Sequence, residues 1–161
     1  MPTRMLKEFL DKNNVKYVTI THSTAHTALE IAALAHIKGK ELAKTVIVKI
    51  DDTMAMAVLP ASNQVDLSLL KAAAGAQKIA LASEAEFRNR FPECETGAMP
   101  PFGPLYGMPV FADEGLTRDK EIAFSAGSHH ELIRLSFDDF VRLVQPKIAA
   151  FALAAAPATR L

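Results

Sequence analysis

Ala43-Lys44-Thr45-Val46-Ile47-Val48-Lys49-Ile50 is followed by Asp51-Asp52-Thr53 and then by Met54-Ala55-Met56-Ala57-Val58-Leu59. The first run is rich in β-branched residues, the acidic pair supplies a turn, and the second run is its apolar partner, so the stretch predicts a β-hairpin. Upstream, Met5, Leu6, Phe9 and Leu10 describe one face of an amphipathic helix ending near Asn13-Asn14. Tyr17 to Thr21 alternates as a short strand, and Thr27-Ala28-Leu29-Glu30 has the capping-box pattern that opens a helix to about His36. Downstream, Asp66 caps a helix that Gly75 stops, Ile79 to Ala82 is a short strand, and Ser83 to Glu86 is a second capping box. Three β-like stretches follow, Pro109 to Asp113, Glu121 to Ser125 and Glu131 to Leu135, with Asp113-Glu114-Gly115 and Ala126-Gly127-Ser128 as turns. Ser136 caps a last helix through about Val144.

Strands outnumber helices and short turns join several of them. The expected fold is therefore α+β, one domain over residues 1–146, with a mixed, mostly antiparallel sheet flanked by helices. Residues 147–161 are expected to form a tail, either helical through Ala150 to Ala155 or frayed.

At 161 residues, half of them hydrophobic, the chain can bury a core without metals or disulfides. Its single cysteine, Cys94, has no internal partner, which suits a reducing compartment. No basic region followed by an apolar run opens the chain, and no apolar window is long enough to span a membrane, so the expectation is cytoplasmic with no membrane partner. Eighteen basic and eighteen acidic residues give zero net charge. That balance argues against wrapping a long DNA or RNA backbone, where many phosphates must be neutralised, but leaves room for gripping one RNA terminus.

Gly97-Ala98-Met99-Pro100-Pro101-Phe102-Gly103-Pro104 carries three prolines and two glycines in eight residues. It reads either as an ordinary turn or as a rim that fixes backbone amides towards a ligand. Lys44 reads either as a solvated lysine with its stem on apolar surface or as a cation for a phosphate or carbonyl oxygen. His129 either caps a turn or orients a hydroxyl, an ester or a water. His22 and His26 stand four apart, and His129-His130-Glu131 adds three donors, yet no zinc-hydrolase spacing is present. Cys94 lies between Glu93 and Glu95, which disfavours its thiolate, and no nucleophile elbow, Walker loop or dinucleotide fingerprint occurs. No metal or other cofactor is expected.

Taken in order, Lys44 in its Ala-Lys-Thr strand, the G-x-x-P-P-F-G loop from Gly97, and Ala126-Gly127-Ser128-His129 resemble the YbaK/prolyl-tRNA-synthetase-associated family. These are free-standing aminoacyl-tRNA deacylases homologous to the editing insertion of bacterial prolyl-tRNA synthetases. The resemblance covers residues 3 to 145 and implies that family's α+β fold and hydrolysis of a mischarged aminoacyl-tRNA at its 3′ end. By it, Lys44 contacts the terminal nucleotide and is essential, and Gly97 and Pro101 present amides near the scissile ester. His129 joins the catalytic set, while Phe102, Gly103, Gly127 and Ser128 bound the substrate. His22 is a rim residue, although Ser23-Thr24-Ala25 replaces the family's proline-containing loop. Tyically small amino acids are removed, alanine on tRNA(Pro) being the first expectation, with a synthetase as a possible partner. The competing reading is a binding module for the tRNA end or a synthetase that hydrolyses nothing; a hydrolase of small free esters is a third.

Overall fold

The computed structural model describes residues 4–22, 41–95 and 97–154. The helix expected from Thr27 to His36, with His26 and His36, lies outside the described residues. The chain opens with α1 (Arg4–Lys12), whose Leu6 and Leu10 are buried, and continues into β1 (Tyr17–Thr21). The expected hairpin forms: β2 (Ala43–Ile50) and β3 (Thr53–Pro60) pair antiparallel without a register break. Asp51 and Asp52 turn the chain at φ 49 and 68, a left-handed region that Asp tolerates. The Asp51 carboxylate also accepts from the amides of Gln77 and Lys78 at 3.0 and 2.9 Å, pinning the turn to the next strand.

Next come β4 (Asn63–Val65) and α2 (Leu67–Ala74). Asp66 accepts from the Leu69 amide at the start of α2 and Gly75 closes its end, as the sequence predicts. After β5 (Ile79–Leu81), Ser83 and Glu86 make both hydrogen bonds of a capping box at α3 (Glu84–Phe87), which runs on as a 3-10 turn to Arg90. Then follow β6 (Val110–Asp113), β7 (Glu121–Ser128), β8 (Glu131–Ser136) and α4 (Phe137–Val144), the last capped by Ser136.

The chain ends its described part in β9 (Lys147–Ala149) and β10 (Ala152–Ala154), where a helical or frayed tail was expected. That expectation is corrected. Helix propensity, even that of alanine, is a weak determinant, and here the Asp113 carboxylate accepts the amides of Phe151 and Ala152 at 2.9 and 3.0 Å, besides that of Gly115 at 2.8 Å. Tertiary capture of those amides wins over propensity. The fold thus extends past residue 146.

The larger sheet has the order β5–β2–β3–β6–β9, in which β3–β6 and β6–β9 are parallel. The other described pairings, including those of the smaller sheet β1–β8–β7 and of β10 with β4, are antiparallel. An isolated parallel bridge from Leu42, just ahead of β2, to Ala123 of β7 links the two sheets. Between the sheets lies the main core: Ile47, Met56, Val58, Val110 and Ala112 from one side, Ile122, Phe124, Ala126, Ile133 and Leu135 from the other. A second core covers the far face of the larger sheet, where Val48, Ala55, Ala57, Leu59 and Phe111 meet Leu70 of α2 and Phe151. No helix among the described residues is long and apolar enough to cross a membrane.

Candidate active site

The loop from Gly97 is anchored from beneath by Phe102. Its ring is fully buried, with neighbouring rings of Phe9, Phe124 and Phe140 at centroid distances of 6.1, 5.4 and 5.8 Å. Gly103 is buried too, and a Cβ there would collide with the Met108 carbonyl and lie 2.5 Å from Val110 Cγ2. Phe102 and Gly103 are therefore both buried and hold the loop in place from beneath. Met56, Met99 and Phe124 are buried as well, and Pro101 with them. Gly103→Ala is expected to cost about 1–3 kcal/mol, since the crowded carbonyl is backbone and cannot swing away. A urea-unfolding midpoint unchanged from wild type would show that the loop absorbs the methyl group.

Ahead of the buried part, two left-handed glycines interlock. Gly97 has φ 86 and Gly127 has φ 101, values that side-chain-bearing residues rarely adopt. The Ala98 amide donates to the Glu95 carbonyl at 3.0 Å, closing a turn that holds Gly97. The Glu95 amide donates to the Gly127 carbonyl and the Gly127 amide donates to the Ala98 carbonyl, both at 2.8 Å. The His129 amide donates to Glu95 Oε1 at 3.2 Å, and the His129 ring stands 3.7 Å from where a Gly97 Cβ would be. Among the described residues the Gly97 amide takes part in none of these backbone bonds, and Gly97 is exposed.

Gly127 and Ser128 belong to β7, which shifts register between Ser125 and Ser128; the turn itself is His129-His130. The expected turn is thus displaced by two residues, because glycine at positive φ makes an irregularity within the strand rather than its end. Ser128 Oγ accepts from the His130 amide at 3.2 Å. His22 arrives from the end of β1, its amide donating to the His130 carbonyl at 2.9 Å. The structure therefore brings His22, Gly97, Gly127, Ser128 and His129 to one end of the smaller sheet. Glu95, which sequence reading noted only as a charge beside Cys94, ties the two glycine turns to His129. Its place two residues before Gly97 was the available signal.

Lys44 stands apart from that cluster. It pairs with Leu59 in the β2–β3 ladder and shares the sheet face of Val46 and Val48, opposite to the face that packs in the main core. The Leu42–Ala123 bridge sets β2 parallel beside the segment of β7 that climbs to Gly127. At about 3.3 Å of rise per residue, Lys44 then lies roughly 7 Å short of Gly127 along the strand direction. The side chain is half-buried, in no ion pair among the described residues, and burial lowers its pKa from the ordinary 10.5. Lys49, at the other end of β2, pairs with Glu86, whose carboxyl is held down to about 2 by that hydrogen bond and by those of Ser83.

Cys94 is half-buried, and desolvation, more than the charge of Glu93, raises its pKa; the Tyr106 hydroxyl at 3.7 Å pulls the other way. A thiol so placed is a poor nucleophile at neutral pH. Among the described residues no three His, Cys, Asp or Glu side chains are grouped as a metal site would need.

The family model for the aminoacyl-tRNA editing domain matches residues 22–143. A curated relative, the Multifunctional Ser/Thr-tRNA deacylase ProXp-y of Escherichia coli (strain K12), is 31% identical over 150 residues, covering 88% of this chain and 87% of the relative. Two crystal structures share the fold. Hypothetical protein APE2540 superposes with a TM-score of 0.82 at 20% identity, over 92% of this chain and 99% of that one. A candidate trans-editing enzyme for prolyl tRNA synthetase superposes with a TM-score of 0.81 at 21% identity, over 94% and 97%.

Proposed function

Since the chain belongs to the aminoacyl-tRNA editing domain family, we propose that it hydrolyses the ester joining a small amino acid to the 3′ end of a mischarged tRNA. The observation that supports this site most directly is the pair of interlocked glycine turns with His129 against them. An aminoacyl ester is already activated, so catalysis needs positioning, admission of water and fixed donors for the developing oxyanion. The exposed Gly97 amide, held by the Glu95 and Gly127 bonds, is such a donor. His129 orients the attacking water or the terminal ribose hydroxyl, and Gly127 and Ser128 frame it. His22 sits on the rim and Pro101 stiffens the loop below. Lys44 supplies a cation for the terminal nucleotide. No protein side chain serves as nucleophile in this scheme.

The sequence-based first choice of amino acid was alanine on tRNA(Pro). The name of the Escherichia coli relative, at 31% identity across most of both chains, moves serine and threonine ahead of it. A site built to bond the β-hydroxyl discriminates against alanine through the polar groups left unpaired. Release of amino acid from seryl-, threonyl- and alanyl-tRNA(Pro), each beside the same amino acid on its own cognate tRNA, decides both preferences. Serine and threonine are expected to leave at least tenfold faster than alanine. Alanine leaving fastest would reverse the order, and equal rates on every tRNA body would remove the tRNA(Pro) preference. Addition of prolyl-tRNA synthetase in the same assay tests whether a synthetase partner contributes. A cytoplasmic setting, where charged tRNA is used, accords with this reading.

The lowered pKa of Lys44 sets a pH dependence. Burial disfavours the charged form, so the cation is lost at a lower pH than for an ordinary lysine, and any rate advantage it confers falls as pH rises through that lowered value. The ratio of wild-type to Lys44→Met rates, which cancels the alkaline hydrolysis of the ester, is expected to decline below pH 10.5. A ratio that stays flat to that pH would separate Lys44 from the chemistry.

A further inference from the structure

Beside the glycine turns lies a cleft of about 420 Å³, lined among others by Phe87, Arg88, Asn89, Cys94, Glu95 and Met99. It is continuous with the candidate site, because Glu95 both lines the cleft and binds the His129 amide, and Met99 belongs to the Gly97 loop. Its volume falls in the range of small-ligand sites. Arg88 and Asn89 are exposed on the 3-10 turn that follows α3, and Arg88 is in no ion pair among the described residues. Phe87, just before them, is half-buried with its ring edge-on to Phe91 at 6.1 Å.

We infer that this cleft receives one of the last unpaired nucleotides of the tRNA acceptor end, an inference that rests on the proposed deacylase reading. Its lining offers the three kinds of contact such a ligand requires. Arg88 offers a planar cation to a phosphate, Asn89 a carboxamide to a base edge, and the half-buried ring of Phe87 an apolar wall against the base. A ligand anchored in the cleft and reacting over Gly97 must span from Arg88 to Glu95, which the continuity of the lining allows. A free amino-acid ester has no phosphate or base to place there, so the cleft also argues for RNA as the carrier.

The test uses the full chain and seryl-tRNA. Arg88→Gln is expected to raise KM about tenfold with kcat within twofold, and to weaken inhibition by uncharged tRNA by the same factor. Loss of one phosphate contact also lowers the slope of log(1/KM) against log salt concentration by about 0.7. Arg88→Lys, which keeps the charge and loses the fork, recovers part of the KM, and Asn89→Ala raises KM without altering the salt slope. Thermal unfolding of each variant at the wild-type temperature excludes a folding defect. Unchanged KM and salt slope in Arg88→Gln, or a fall in kcat alone, overturns the cleft as a nucleotide site while the deacylase reading stands. Failure of wild type to hydrolyse any aminoacyl-tRNA removes the reading beneath it instead.

Discussion

Lys44→Met is expected to lower kcat/KM for deacylation by about 10²–10³-fold while leaving the protein at least as stable as wild type. The two halves of this expectation come from different observations. Methionine fills nearly the space of the lysine stem beside Leu59 and Val46, so packing on that face is kept. The desolvation that lowers the lysine pKa is a cost of holding the cation there, and removing the charge removes the cost. In linkage terms, a lysine with a depressed folded pKa binds fewer protons when folded than when unfolded. Its presence therefore makes stability rise with pH between the lowered value and 10.5, and that segment of the stability curve should flatten in the variant. Steady-state kinetics and urea unfolding on the same preparation check both halves. A variant with wild-type kcat/KM would return Lys44 to the role of a partly covered surface lysine.

Asp113→Ala is expected to cost about 3–5 kcal/mol. Asp113 is a buried carboxylate, 5% exposed, and accepts from the amides of Gly115, Phe151 and Ala152. Truncation leaves three donors to find other partners, at about 1–3 kcal/mol for each that stays buried. Phe151, wholly buried in the second core, is held by one of those bonds, so its packing loosens with them. At about 2–4 °C per kcal/mol for a chain of this size, the melting temperature should fall by roughly 6–20 °C. A fall of less than 2 °C would show that β9 and β10 are held by packing alone.

Residues with local signals were legible in the sequence. The β2–β3 hairpin is decided by two apolar runs around an acidic pair, and the caps at Asp66, Ser83 and Ser136 by side chains a few residues from the amides they bind. What escaped depends on distant partners. β4, β9 and β10 are three residues each, too short for alternation to show, and β10 is made of Ala-Leu-Ala, which locally favours helix. They exist as strands because of pairing to residues far away in sequence and, for the last, because of Asp113. The two parallel pairings around β6 were illegible for the same reason.

The site shows the same division. Gly97, Gly127 and His129 announce themselves as a positive-φ pair and a titratable neighbour, and the fold brings them together. Glu95 did not, since its use is to bridge residues more than thirty positions apart. The burial of Phe102 was not legible because a proline- and glycine-rich loop reads as surface, whereas this one folds its central residues inward under Phe9 and Phe140.

The central claim is that this chain hydrolyses aminoacyl-tRNA and does more than bind it. The measurement that tests it most directly follows one preparation of seryl-tRNA, with the purified chain alone, for both amino-acid release and RNA binding. Turnover well above the buffer rate, cut by about 10²–10³-fold in Lys44→Met with binding weakened at most modestly, is the predicted result. Binding of the charged tRNA with release no faster than in buffer would contradict it and leave a module that recognises the tRNA end without cleaving it.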